Sequence, residues 1–467
     1  MRKPLLALMA VWLLLGGCQA TLSQLRHRLD EEGEVYLYLQ PFPQEAARLT
    51  VGIDAISALT SDGREVPLSV SVAELRGGDL KRQRLLAVGF LPSGEYAGFS
   101  FRIGRAFLKG EAGDSALLLP EAATRIEFPF SVARRKGYVI SVALRQPESV
   151  DAGFRFTPAF SMFFPDRPPP NLVGLVTNSL SDDITVFNKK TLQVYDVIVT
   201  GRGPAGMALD QRSRRAYVAL SGEDRVDIID IAAGGIFDRI RLYPGDEPRE
   251  IALSQDGRTL LTANTGSNTV SFIETDSRAE LTRVRVGNGP RSVMIDPTGR
   301  RAFVFNALSN TISVLDIPSR SLVTTIAVNP GPVRGQFNRR GDQLYVIHES
   351  SPYVVVLDPA LLSVTARFPV RSAVSSIRRD PNTDLVYLGK TGDFLVGLYD
   401  PFAFAPVGFV ETRASIAQMA ADGDENTLLM VSPDRRSVLV SSLTSRRIVG
   451  ELDAGDGPYW VTTMGER

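Results

Sequence analysis

GRGPAGMALD (residues 201–210), GDEPREIALS (245–254), GNGPRSVMID (287–296) and NPGPVRGQFN (329–338) are four copies of one phrase. Each gives a turn, a proline, a short apolar strand and a polar turn. The prolines, Pro204, Pro248, Pro290 and Pro332, are spaced by 44, 42 and 42 residues, the sign of a repeat architecture. Continuing by 42 reaches Val374, Ile416 and Pro458. The first two lack the proline, but AVSSIRRD and SIAQMAAD around them keep the strand and end on Asp380 and Asp422. Pro458 restores the phrase in GDGPYWVTTM (455–464). One period before Pro204 the phrase is missing, yet Val173–Val176, Asp183–Phe187 and Val194–Val199 match the second, third and fourth strands of the later units. Six full units, these three strands and the unpaired strand Tyr459–Met464 make seven four-stranded blades. Joining both ends of the repeat in one blade hides the edges that an open array would expose. The expectation is an all-β chain whose main part, 171–467, is a seven-bladed β-propeller with its first blade closed by the C-terminal strand.

Upstream, Phe164-Pro165-Asp166-Arg167-Pro168-Pro169-Pro170 is the clearest boundary, because successive prolines fix φ and remove hydrogen-bond donors. Residues 165–170 read as a stiff linker. Residues 34–164 show only short apolar or alternating runs, such as Val35–Leu39, Leu85–Phe90 and Tyr138–Leu144, with turns such as Ser61-Asp62-Gly63 between them. That texture predicts an antiparallel β-sandwich.

The repeat text resembles a known class. Arg301–Asn306 followed by Ser309–Asp316 is similar to the YVTN-type propeller repeat, as are Leu260–Asn264 with Ser267–Ile273 and Arg215–Leu220 with Asp224–Asp230. The resemblance covers roughly 171–464 and implies the fold; it says little about function, because this fold hosts unrelated activities. Leu91-Pro92-Ser93-Gly94-Glu95-Tyr96 resembles the L-P-x-G-x-Y turn and strand of transthyretin-like modules. More broadly, 34–164 resembles the DUF4382 type of envelope domain.

The chain opens MRKPLLALMAVWLLLGGCQA: a basic pair, Arg2 and Lys3, then an apolar run of 11 residues, Leu5–Leu15. A membrane-spanning helix needs about 20 residues, so this is a signal segment. Leu15-Gly16-Gly17-Cys18 resembles the bacterial lipoprotein box, which implies removal of 1–17 and acylation of Cys18, the only cysteine in the chain. Several acyl chains anchor stably where one is marginal. Gln19 after the cysteine, by the same resemblance, implies the outer membrane. Residues 18–33 would then be a lipidated tether.

Composition narrows the chemistry. One cysteine excludes an internal disulfide or a Cys-rich zinc site, and two histidines leave almost nothing for an imidazole metal centre or haem. No metal and no cofactor are expected. Fifty-two basic against 52 acidic side chains argue against a nucleic-acid-coating protein, and no nucleic-acid partner is expected. Gly201-Arg202-Gly203-Pro204-Ala205-Gly206 fits GxGxxG, but no helix pattern follows and the register recurs at Gly287 and Gly455, so it reads as a turn leading into a blade. Asp422-Gly423-Asp424-Glu425-Asn426 opens like a calcium loop but has Thr427 and Pro433 where glycine and glutamate belong. The doublets Arg214-Arg215, Arg300-Arg301, Arg339-Arg340 and Arg378-Arg379 fall near turns and read as solubilising charges, since 171–467 carries 32 basic against 34 acidic residues.

In propellers, loops leading into first strands and those between second and third strands open on one face. One and two positions after each repeat mark, the departures from small residues are Arg249, Glu250, Arg291, Arg334, Tyr459 and Trp460. Sixteen after, His348 and Lys390 interrupt Asn178, Asn264 and Asn306, asparagines that suit turns. Arginines, a lysine and an aromatic on one rim suit a carboxylate, phosphate or sugar-acid group. The leading expectation is an outer-membrane lipoprotein whose propeller is a non-enzymatic scaffold or receptor for an envelope protein or anionic surface ligand. The alternative is a hydrolase or lactonase at the same face, with His348 or Glu250 as general base and Arg249, Arg291 or Arg334 stabilising an oxyanion.

Overall fold

The computed structural model describes residues 31–78, 80–110, 113–151, 154–390, 392–403 and 405–465. Cys18 and the expected signal segment lie outside the described residues. The chain divides into two compact units, one through Pro165 and one from Asp166.

The second unit is a seven-bladed propeller of four-stranded antiparallel sheets. Its second blade runs Pro204–Asp210, Arg215–Leu220, Arg225–Asp230 and Gly235–Arg241. The third to seventh blades repeat this pattern over 248–285, 290–327, 332–369, 374–411 and 418–453. The first blade takes Val173–Asn178, Asp183–Asn188 and Val194–Val199 from the start of the unit and Pro458–Thr463 from its end. Closure is antiparallel, with Gly174 opposite Thr463 and Val176 opposite Val461.

Burial explains the strand texture. Second and third strands, such as Arg301–Asn306 and Thr311–Asp316, are enclosed on both faces and almost continuously apolar. Outer strands such as Ser363–Pro369 alternate, with every other residue in solvent. Phe303, Phe305 and Phe337 fill the space between the fourth and fifth blades, Phe303 and Phe337 meeting edge-on at 5.6 Å between centroids.

The glycine that precedes Pro204, Pro290 and Pro332 has a defined task. Asp182, Asn268 and Asn310 occupy the left-handed region in the turn between second and third strands. Their side-chain oxygens accept the backbone N–H of Gly203, Gly289 and Gly331 at 2.8, 2.7 and 2.9 Å. Those glycines have φ of +67°, +63° and +69°, a conformation that β-carbon-bearing residues rarely adopt. Each link ties one blade to the strand that opens the next. The GxGxxG at 201–206 is therefore a turn leading into a blade, with no helix after it. The 422–426 segment is likewise a turn, Asp422 Oδ1 accepting the N–H groups of Asp424 and Glu425 at 3.0 Å.

Asn178, Asn264 and Asn306 differ from the sequence expectation. They lie at the ends of second strands, fully buried, rather than in the exposed turns. The Nδ2 of each donates to third-strand side chains five and seven positions on: Asp183 and Thr185, Thr269 and Ser271, Thr311 and Ser313.

The first unit is all-β, and the expected sandwich takes the form of one curled sheet. From edge to edge its strands are Phe160–Phe163, Gly137–Leu144, Glu32–Leu39, Arg84–Pro92, Glu65–Val70, Leu49–Thr60, Gly94–Lys109 and Asp114–Ala116. The halves are joined by a short ladder, Ser69 opposite Val88 and Val70 opposite Ala87. One pair is parallel, Glu34–Leu39 against Gly137–Val142. The concave core holds Leu37, Leu86, Phe99, Phe101, Phe130 and Ile140, with Phe99 and Phe130 stacked at 5.1 Å. In the Leu91–Tyr96 turn, the Tyr96 hydroxyl donates to the Pro92 carbonyl at 2.9 Å.

Candidate functional site

The seven first strands face the propeller axis. Of the residues two positions after the repeat marks, Glu250, Arg334 and Trp460 point across it, because their side chains meet partners on non-adjacent blades. Glu250 of the third blade forms an ion pair with Arg334 of the fifth, and the Arg334 guanidinium lies 4.8 Å from the Trp460 ring centroid of the first. Such contacts are possible only through the channel. One position earlier, Arg249 lies over the Tyr459 ring at 5.4 Å, and its Nε donates to the Tyr459 hydroxyl at 3.2 Å. This second bridge spans from the third blade to the first.

The intervening second blade makes the bridge possible by supplying almost nothing. A Cβ at Gly206 would fall 2.8 Å from Glu250 Cα and 2.9 Å from the Arg249 carbonyl oxygen. The glycine there lets the third-blade strand approach closely and leaves the mouth to Arg249 and Tyr459.

Charge at the mouth is predominantly positive. Arg291, on the fourth blade, sits 3.5 Å from Glu349 at the half-exposed rim. Glu250 is 5% exposed. Burial pushes its carboxyl above the usual carboxylate range, against the pull of Arg334, Arg249 and Arg291. Burial works against charge on Arg334, and Glu250 and Tyr459 together more than offset that, so the guanidinium is held charged. Two donors at this level have no acceptor: Arg334 Nε and the hydroxyl of Ser292, which is 2% exposed. Chemically, the mouth combines three guanidinium groups, one enclosed carboxylate and two aromatic rings, a set matched to planar, oxygen-rich anions.

The structure thus brings together Arg249, Glu250, Arg291, Arg334, Tyr459 and Trp460. His348 and Lys390 take no part in these contacts. His348 ends a second strand in the position held by asparagine in other blades, and is fully buried. Its Nδ1 faces the Tyr353 carbonyl at 3.2 Å, which assigns the proton to Nδ1, and Nε2 has no partner. Burial lowers its pKa to about 4, keeping the ring neutral and out of reach of a molecule at the face. Lys390 ends the second strand of the sixth blade, half-buried, with no hydrogen bond or ion pair to the arginines among the described residues. Among the described residues there is also no cluster of three or more His, Cys, Asp or Glu side chains suited to a metal ion.

Sequence reasoning missed Glu349 and the pairing of Glu250 with Arg334. A signal for the pairing was present: the two residues are 84 apart, two repeat periods, and so occupy the same register two blades apart. It also missed the clasp at the ring closure. Lys189 Nζ lies 2.8 Å from Asp422 Oδ2 and donates to the Met464 carbonyl at 2.7 Å, while the Thr463 hydroxyl donates to the same carboxylate oxygen at 2.9 Å.

Residues 163–377 match the YNCE-like beta-propeller family. No sequence among the curated proteins matches the chain. Solved structures share the architecture. A functionally unknown protein from Desulfotomaculum acetoxidans is 13% identical over 62% of this chain and 98% of its own, with a TM-score of 0.56. Dihydro-heme d1 dehydrogenase NirN, in complex with DHE, is 13% identical over 64% of this chain and 77% of its own, with a TM-score of 0.52. The hydrazine synthase of Kuenenia stuttgartiensis is 17% identical over 55% and 88%, with a TM-score of 0.48. At 13% identity the likeness to the first two is one of fold alone.

Proposed function

We propose that this chain is an outer-membrane-anchored lipoprotein whose propeller is a non-enzymatic receptor for an anionic group, presented by an envelope protein or a surface ligand, at the mouth of its channel. The observation that carries the reading is the pair of guanidinium groups on adjacent blades, Arg249 and Arg291. The first is oriented by Tyr459 through its Nε, and the second pairs, among the described residues, with a rim carboxylate 3.5 Å away. A guanidinium fork donates to two carboxylate, phosphate or sugar-acid oxygens at once. Tyr459 and Trp460 offer apolar rings beside it, with Arg334, paired to Glu250, against the Trp460 ring. Anchoring rests on the N-terminal text, in which the single cysteine stands where acylation needs it.

The test is calorimetric titration of residues 19–467 with a carboxylate, a phosphate monoester and a uronic acid, for the wild type and for Arg249→Ala/Arg291→Ala. The proposal expects at least one class to bind the wild type and to lose ten-fold or more in the double variant, each charged hydrogen bond contributing about 1.5–3 kcal/mol. Equal binding by both proteins would remove the mouth as the site.

A further inference from the structure

Glu250 is the only carboxylate among the residues one and two positions after the seven repeat marks, and it sits inside the cation cluster rather than at its edge. Its side chain is paired with Arg334 and lies in the field of Arg249 and Arg291. The cluster therefore already contains one anion, fixed by the backbone of the third blade. Arg334 gives that anion only part of its donor set, its Nε remaining without an acceptor, and the nearby register position on the fourth blade carries the unpartnered Ser292 hydroxyl. A buried guanidinium needs a counter-charge, and the attraction between unit charges is strong where water is scarce.

We infer that Glu250 is a resident counter-anion that competes with the incoming anion for the arginines at the channel mouth, so that the charge on this one carboxylate sets the affinity of the site. This rests on the reading of the mouth as an anion site. With Glu250 charged, Arg334 is neutralised and an incoming anion meets the net attraction of Arg249 and Arg291, reduced at the rim by Glu349. With Glu250 uncharged, Arg334 joins them and the enclosed carboxylate no longer repels the ligand.

The groups facing Glu250 are Arg249 on its own strand, Arg291 on the fourth blade and Arg334 on the fifth, with Tyr459 of the first blade against Arg249 and Arg334, and Glu349 beyond Arg291. Burial holds the Glu250 carboxyl above the usual carboxylate range, so this enclosed group gives up its charge as the pH falls. Loss of the Glu250 charge removes repulsion, and anion binding must tighten as the pH falls.

The probe is sulfate, which stays a dianion throughout this range. Calorimetric titrations at pH 8 and pH 5 compare the wild type with Glu250→Gln, Glu349→Gln and Arg249→Ala/Arg291→Ala. The expected result is sulfate affinity raised about ten-fold or more in Glu250→Gln at pH 8. Wild-type affinity should rise toward pH 5, Glu250→Gln should respond much less to pH, and Glu349→Gln should keep most of the wild-type response. Sulfate binding that is lost in the double-arginine variant yet equal or weaker in Glu250→Gln would overturn this inference and leave the anion site standing. Absence of sulfate binding in both the wild type and a folded Glu250→Gln would overturn both. If Glu250→Gln fails to fold, the wild-type pH series beside Glu349→Gln decides: pH-independent affinity, or a response abolished by Glu349→Gln, overturns the inference.

Discussion

The buried histidine makes a quantitative prediction about the fifth blade. His348 is enclosed, donates from Nδ1 to the Tyr353 carbonyl and titrates at about 4 in the folded chain, burial being the main cause. In the unfolded chain its pKa is the ordinary 6.5. The folded state thus holds fewer protons than the unfolded state between these values, and stability rises with pH across that window. It is fully present above pH 6.5 and is lost as the pH falls toward 4. Linkage gives a loss of about 2 kcal/mol between pH 7.5 and pH 5, and about 3 kcal/mol by pH 4. The perturbation is His348→Asn, the residue that the first, third and fourth blades carry at this position. Asparagine does not titrate, so this component vanishes. The replacement has its own baseline cost, since Tyr353 and Val355 stand where those blades place hydrogen-bonding side chains at both positions, and that cost cancels in the pH comparison. The assay is urea unfolding at both pH values. It is followed by the fluorescence of Trp460, the only tryptophan in residues 19–467. The wild type should lose about 2 kcal/mol more than the variant on going to pH 5. Equal losses within about 0.5 kcal/mol would refute the burial argument, because normal surface groups respond alike in both proteins.

Three further outcomes follow from the same structure. Lys189→Met removes the cation from an ion pair whose side chains are 3% and 1% exposed; it should destabilise the propeller by about 3–5 kcal/mol in urea titration, by leaving Asp422 charged and enclosed. Gly206→Ala forces a Cβ to within 3 Å of the third-blade backbone and should cost about 1–3 kcal/mol by the same assay, as overpacking does. Radiolabelled palmitate should be incorporated into the wild type and fractionate with the outer membrane, and Cys18→Ser should lose both.

The propeller was legible because its period is carried by residues with backbone duties. Gly203, Gly289 and Gly331 need left-handed geometry, and Asp182, Asn268 and Asn310 cap them; these constraints recur at the second, fourth and fifth blades whatever each blade does. The register also placed Arg249, Glu250, Arg291, Arg334, Tyr459 and Trp460 at one level. Depth was less visible. Asn178, Asn264 and Asn306 look like turn residues by type, yet they end buried strands and bond to the neighbouring third strand. His348 shares their position, so its burial follows from the blade and not from its own polarity. The curled sheet of the first unit was legible only as β texture. Its continuity depends on two residue pairs, Ser69 with Val88 and Val70 with Ala87, and neither pair has a signature in the sequence.

The central claim is that the channel mouth binds anions through Arg249 and Arg291. The most direct measurement is an anomalous difference map from crystals soaked in selenate, a sulfate-shaped dianion with a strong scatterer. The account predicts a peak within hydrogen-bond distance of both guanidinium groups, absent in Arg249→Ala/Arg291→Ala crystals. Selenate peaks confined to other surfaces, with the mouth empty in well-ordered wild-type crystals, would contradict it.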